Sequence, residues 1–274
     1  MKHAICIIGY GDKAEIVQKT INVLDDKDIA FFIHWDARYK LPSLKSKYSA
    51  ISFVKNRIPV KWGGASQIQA TLLLLRLVNE NNIYDYVHLI SCNDIPLMTR
   101  SYFKNYFKAD TYIGFNKKFT KKNVMLRIGY YYPNNVNFRK HTNIRRLYRF
   151  ASSLLRINRL KKYPNISFKK GPNWFSIKTE YLNEILDFNN SIFMHSFCAD
   201  ELFIQTILNR FETQQINSKD DNAQALRYID WHRGGPYVFT INDVDELKKN
   251  LNTNYAFARK VVDPEVIDRI FNLE

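Results

Sequence analysis

Asp200 and Glu201 are adjacent carboxylates placed directly before an apolar run, in the stretch Cys198-Ala-Asp-Glu-Leu-Phe-Ile-Gln-Thr-Ile-Leu208. Phe203, Ile204, Ile207 and Leu208 recur at helical spacing, which predicts a helix with one buried face. Asp200 then falls in the cap region, where its carboxylate can accept from unpaired backbone N–H groups. Glu201, in the first turn, projects toward whatever the helix mouth faces and is left to act as a general base. The same pattern describes an ordinary helix with an acidic first turn, so other stretches must decide. A rival signature is Gly9-Tyr-Gly11-Asp-Lys-Ala14 after an apolar strand, formally a G-x-G-x-x-A phosphate-binding turn. With Asp36 placed for a ribose hydroxyl, it would suit a dinucleotide-binding oxidoreductase. Two cationic clusters, His232-Arg233 and Arg259-Lys260, follow the carboxylates.

These groups sit on a regular alternation of strands and helices. His3 to Gly9 reads as a buried strand, Lys13 to Leu24 as a helix with Ile16, Val17, Thr20, Ile21 and Leu24 inward, and Ile29 to Ile33 as a second strand leading into His34-Trp35-Asp36. Ile51 to Val54 is a short third strand. After it, Trp62, Gly63 and Gly64 precede a helix over Ser66 to Asn81; the glycines predict a tight turn, and Trp62 either walls a pocket or packs. Tyr86 to Ile90 is a fourth strand, followed by Asp94 and a helix from Thr99 to Phe107. Tyr112 to Phe115, Gly171 to Lys178 and Leu226 to Trp231 are further strands, and Thr179 to Phe188 a further helix. The pattern predicts an open, mostly parallel α/β sheet whose ligands bind beyond the carboxyl ends of the strands, where Asp36 and Asp94 lie.

The chain has 274 residues and a formal charge of +15. From Thr111 to Thr179 there is no Asp or Glu, whereas seventeen Lys and Arg occur there, so this segment supplies the whole excess. Within it Ile144, Leu147, Ala151, Leu154 and Leu155 are spaced for a helix whose other face carries Arg145, Arg146, Arg149 and Arg156. That fits either peripheral binding to an anionic membrane through residues 139–170 or a core-covering helix with solvated arginines. Tyr130, Tyr131 and Tyr132 are a sugar-stacking platform or a buried aromatic cluster. An RNA-binding protein is the remaining alternative, but neither zinc-finger spacing nor an RRM-type aromatic motif accompanies the charge, and no nucleic-acid partner is expected. Cys6, Cys92 and Cys198 lack metal-type spacing and read as reduced thiols, which places the chain in the cytoplasm. No apolar run is long enough for a membrane span, and no export signal is seen.

Taken in order, His34-Trp-Asp36, Trp62-Gly-Gly64, Leu89-Ile-Ser-Cys-Asn-Asp-Ile-Pro96, Gly171-Pro-Asn-Trp-Phe175, Asp200-Glu201, Tyr228-Ile-Asp-Trp231 and Phe257-Ala-Arg-Lys260 resemble the core-2/I-branching β-1,6-N-acetylglucosaminyltransferases. This is glycosyltransferase family 14, which also holds the peptide O-xylosyltransferases. The resemblance implies a GT-A fold, a Rossmann-like mixed sheet with flanking helices, as a single domain over residues 1–274. Residues 1–110 would form the nucleotide-sugar-binding half and residues 111–274 the acceptor-binding and catalytic half, with the basic segment 111–179. It also implies inversion at the anomeric carbon of a UDP-sugar donor.

By the same resemblance Glu201 is the catalytic base, Arg233 and Lys260 meet the donor diphosphate, and Asp36, with Gly9 and His34, lines the nucleoside. Trp62, Asp94, Trp174, Asp200 and Trp231 would line the acceptor and sugar pocket. An Asp-x-Asp metal pair is replaced here by Asn93-Asp94-Ile-Pro96, so no cofactor and no divalent metal are expected, with the two cations in the metal's place. Animal members carry a membrane anchor and several disulfides, and this chain shows neither. It reads as a bacterial relative that builds a surface polysaccharide or oligosaccharide on a glycan or lipid-linked acceptor at the inner face of the cell membrane, with UDP-GlcNAc as donor.

Overall fold

A computed structural model describes residues 1–134, 136–138, 141–214 and 220–273; Arg139 and Lys140 of the basic segment lie outside the described residues. In chain order the strands are β1 (His3–Gly9), β2 (Ile29–Trp35), β3 (Ile51–Phe53), β4 (Tyr86–Ser91), β5 (Asp94–Pro96), β6 (Thr111–Tyr112), β7 (Phe175–Lys178), β8 (Arg227–Ile229) and β9 (Phe257–Arg259). Six of them form one mixed sheet in the order β3-β2-β1-β4-β7-β6, and β5-β9-β8 form a second, smaller sheet. β1 to β4 run parallel, while β7 is antiparallel to both β4 and β6. Helices flank the central sheet, and the whole is a GT-A-like α/β fold. Strands from the second half of the chain therefore complete the sheet begun by the first.

β1 explains why its sequence is an unbroken apolar run rather than an alternation. Ile5 and Ile7 pack with Val17, Ile21 and Leu24 of the Ala14–Leu24 helix on one face. Ala4, Cys6 and Ile8 pack with Ile68, Leu72 and Leu75 of the Ser66–Asn81 helix on the other. A parallel strand covered on both faces has no polar side to show.

Several expected elements are shorter. The strand expected over Tyr112 to Phe115 pairs only at Thr111–Tyr112, because the chain crosses other backbone at Gly114, where a Cβ would lie 1.8 Å from the Asp221 carbonyl oxygen. The helix expected over Thr179 to Phe188 is a 3-10 turn at Thr179–Tyr181 followed by the helix Leu182–Asp187.

The basic helix, Thr142–Leu154, is turned opposite to the core-covering expectation. Leu147, Phe150 and Leu154 are 63%, 67% and 71% exposed. Arg145 and Arg149 instead lie over the Phe197 ring, at 4.7 and 6.0 Å from its centroid. The three tyrosines divide: Tyr132 is buried and donates from its hydroxyl to the Leu126 carbonyl at 2.6 Å, whereas Tyr131 is exposed and stacks on His195.

A buried imidazole pair ties β1 to β4. His3 Nδ1 and His88 Nε2 are 3.0 Å apart, enclosed by Tyr86, Phe103 and Phe107. Burial lowers His3 from 6.5 to about 4 and lowers His88 as well. Between those values the unfolded chain binds more protons than the folded one. Stability is thus fully present above about pH 6.5 and falls as the pH drops toward 4, by about 3 kcal/mol from His3 alone. Urea midpoints measured across this window should show that decline, and replacing both imidazoles by glutamine should flatten it. A midpoint in the native chain that does not change with pH would contradict the assignment.

Candidate active site

The register of the central sheet brings Gly9, His34 and the residues that follow them to one edge. Gly9 lies opposite Trp35, and Ile8 opposite both His34 and Ser91, so β1, β2 and β4 end together. β7 starts there in the reverse direction, with Phe175 opposite Leu89, which delivers Trp174 to the same edge. Crevices beyond the carboxyl ends of parallel strands are where open α/β sheets bind ligands. A separate hollow lined by Tyr84, Asp85, Lys108 and Lys178 lies at the opposite edge, and none of the expected site residues reaches it.

Glu201 is the second residue of the helix Asp200–Ile207, whose Phe203, Ile204 and Ile207, with the following Leu208, are buried as their spacing predicts. Its side chain is 34% exposed and pairs through Oε2 with Arg127 Nη2 at 2.9 Å and Lys170 Nζ at 3.3 Å. The helix start is fixed from three sides. Gly171 donates its N–H to the Glu201 carbonyl at 2.9 Å, Arg127 Nη1 donates to the Cys198 carbonyl at 2.8 Å, and Cys198 donates its N–H to the Gly63 carbonyl at 2.8 Å. Cys198 and Gly63 both have positive φ, and a Cβ on Gly63 would lie 3.0 Å from Cys198 Sγ. The glycine turn therefore lets Trp62, 47% exposed, stand edge-on to Phe197.

Asp200 departs from its expected capping and pocket roles. Ala199 occupies the cap position, with no side-chain capping bond, and Asp200 is already helical and buried. Among the described residues no donor reaches its Oδ1. Burial, then the neighbouring Glu201 charge, raise its carboxyl well above the usual range, against a weaker pull from Arg127. The two adjacent carboxyls thus sit in different environments: burial disfavours the charged form of Asp200, whereas Glu201 is half-exposed between two cations.

Asp94 is fully buried at its side chain and paired with Arg259 Nη1 at 2.8 Å, while its other oxygen accepts from the Ser91 N–H. The Arg259 guanidinium also lies over the Trp174 ring at 4.6 Å. Asp94 therefore anchors β5 to β9 rather than lining a pocket with an open carboxylate. Lys260 follows directly, its backbone bonded to Tyr237 and Phe239. Because Lys170 and Gly171 hold Glu201 and Trp174 meets Arg259, the segment 170–174 joins the carboxylate to this cationic corner.

The nucleoside residues are placed at the edge but mostly as its framework. His34 is completely buried and accepts the Ile58 N–H at 3.1 Å, so its side chain cannot line a nucleoside. Asp36 is bound by Arg38, whose Nη2 lies 2.6 Å away, and by the Val60 N–H at 3.0 Å. Arg38 in turn reaches the Val60 carbonyl, which links Asp36 to the Trp62 turn. A Cβ on Gly9 would lie 2.2 Å from Trp35 Cε3, so packing alone requires glycine there. The acid that a dinucleotide site would need for a ribose is thus already engaged.

Arg233 is the clearest correction. Its guanidinium meets Asp230, Asp243 at 3.1 Å and Glu246 at 2.7 Å, and lies over the Tyr237 ring. Three carboxylates already surround it, so its charge serves the loop and not an open anion site. Trp231, on the same loop, is 55% exposed.

Arg127, Lys170 and Arg259 are the site residues that sequence reasoning missed. Arg127 and Lys170 belong to the acid-free segment, where seventeen cations give no local reason to single out two. Arg259 was visible only as the neighbour of Lys260.

A family model described as "Branch: Core-2/I-Branching enzyme" matches residues 4–251. "Xylosyltransferase oxt" of Drosophila melanogaster is 22% identical over 273 aligned positions, covering 89% of this chain and 30% of the relative. The protein of the same name from Drosophila pseudoobscura pseudoobscura matches with the same identity and coverage. The chain thus spans about 30% of the length of the curated relatives it matches.

Proposed function

This chain belongs to the Core-2/I-branching enzyme family, and we propose that it is an inverting, metal-independent glycosyltransferase that moves a sugar from UDP-GlcNAc to a hydroxyl of a glycan acceptor. The observation that carries this reading is Glu201, a half-exposed carboxylate paired with two cations and tied by its backbone to the segment that leads to Trp174 at the sheet's edge. In a single displacement one base takes the acceptor proton while the donor's diphosphate leaves from the opposite side of the anomeric carbon. The Glu201 carboxylate is the base. Lys260, at the corner built by Arg259, Asp94 and Trp174, faces the charge that grows on the departing diphosphate, where a preorganised cation favours the transition state over the ground state.

Asp94 is held by Arg259 and Ser91, which supports a site whose positive charge comes from side chains. Arg233 is assigned to holding the 230–246 loop, with Trp231 exposed on it as a wall for a sugar. The product would be a surface polysaccharide or oligosaccharide. The name of the Drosophila relatives favours UDP-xylose as a second donor reading.

A screen of UDP-sugars for hydrolysis and binding, with and without EDTA, tests this reading. Turnover of UDP-GlcNAc that persists in EDTA is the expected result. Complete loss in EDTA with recovery in manganese would overturn the metal-free mechanism, and turnover of UDP-xylose in preference would replace the donor.

A further inference from the structure

We propose that the Thr142–Leu154 helix is a docking surface for an anionic lipid bilayer and that it holds the base beside an acceptor carried on lipid; the second half of this proposal rests on the transferase reading. A helix that packs on a protein core normally turns its apolar face inward. Here Arg145, Tyr148, Arg149 and Ser152 share the inward face, while Leu147, Phe150 and Leu154 follow one another along the outside, with Leu155 70% exposed at the end. Four large apolar side chains side by side in solvent mark an interaction surface.

Charge indicates the occupant. Arg146 on the helix and Arg156, Lys161 and Lys162 just beyond it are exposed, and the segment that contains them holds no carboxylate from Thr111 to Thr179. Leucine and phenylalanine flanked by cations suit a surface whose headgroups are negative and whose interior is hydrocarbon. A protein partner would leave the one-signed border unexplained. RNA would leave the aliphatic stripe in water.

The surface is also connected to the site. Arg145 and Arg149 lie over Phe197, which donates its N–H to the Arg127 carbonyl, and Arg127 pairs with Glu201. Among the described residues no helix is long and apolar enough to cross a membrane, so contact through this helix would be peripheral.

Cosedimentation with vesicles of phosphatidylglycerol in phosphatidylcholine, against pure phosphatidylcholine, tests the surface. The native chain should bind the anionic vesicles preferentially, and Phe150→Glu with Leu154→Glu should weaken that binding at least about tenfold. The proposal is overturned if the native chain ignores anionic vesicles or if the double substitution leaves binding unchanged. It is equally overturned if sedimentation shows a dimer that the same substitutions dissociate, since a second copy would then cover the face. UDP-sugar hydrolysis measured on both proteins without vesicles separates the two readings. It should be equal in both, and its absence from both would remove the transferase reading and the lipid-borne acceptor while leaving the lipid surface to stand or fall on sedimentation.

Discussion

Glu201→Gln is expected to lower sugar transfer about a thousandfold while leaving UDP affinity within about threefold of native. Glutamine keeps the shape of the side chain but cannot accept and retain the acceptor proton. The donor diphosphate is assigned to the Lys260 corner, so binding should persist. Structural damage should be small, because the ion pairs with Arg127 and Lys170 are partly exposed and such pairs contribute about 1 kcal/mol or less. Turnover and equilibrium UDP binding measured on the same preparation check the two halves. Transfer near the native rate would place the base elsewhere.

Gly171→Ala should destabilise the fold by about 3 kcal/mol or more. An added Cβ would lie 1.8 Å from the Gly114 carbonyl oxygen and 2.8 Å from Gln205 Nε2. Neither backbone can retreat freely. Lys170 accepts from the Asn116 N–H at 2.7 Å, Gly171 donates to Glu201, and Gly114 is itself pressed against Asp221. The same change at Gly11 is the control: its φ is +66°, but nothing lies within 4 Å of the added atom. Only the conformational cost of about 1 kcal/mol should appear there. Urea denaturation of the two variants checks the contrast, and equal midpoints would contradict it.

The strands and the Glu201 helix were legible because burial on one or both faces leaves a periodic or continuous apolar pattern, as β1 and Phe203, Ile204, Ile207 and Leu208 show. The second sheet was not. Each of its strands is three residues long and comes from a distant part of the chain, so no window of sequence contains the pairing of Asp94 with Arg259. Arg233 illustrates the same limit from the other side. The family resemblance places Arg233 against the donor diphosphate, but Asp230, Asp243 and Glu246 converge on it, and that convergence is visible only in the fold.

The basic helix shows what periodicity leaves open. Spacing separates Leu147 and Leu154 from Arg145 and Arg149 but does not show which side packs, and Arg146 and Arg156, expected with the other arginines, are exposed. Arg145 and Arg149 carry guanidiniums that lie over the Phe197 ring, so a charged face packs as well as an apolar one. Asp200 differs from its expected place for a related reason, since a carboxylate at a helix start is ordinarily solvated, and only the fold shows it buried.

In the proposed mechanism a single base at Glu201 allows one displacement at the anomeric carbon and no covalent sugar intermediate. Proton NMR of UDP-GlcNAc hydrolysis, recorded before the free sugar mutarotates, reads that directly with water as acceptor. β-GlcNAc as the first sugar to appear from the α-linked donor is the predicted result; α-GlcNAc appearing first would contradict it.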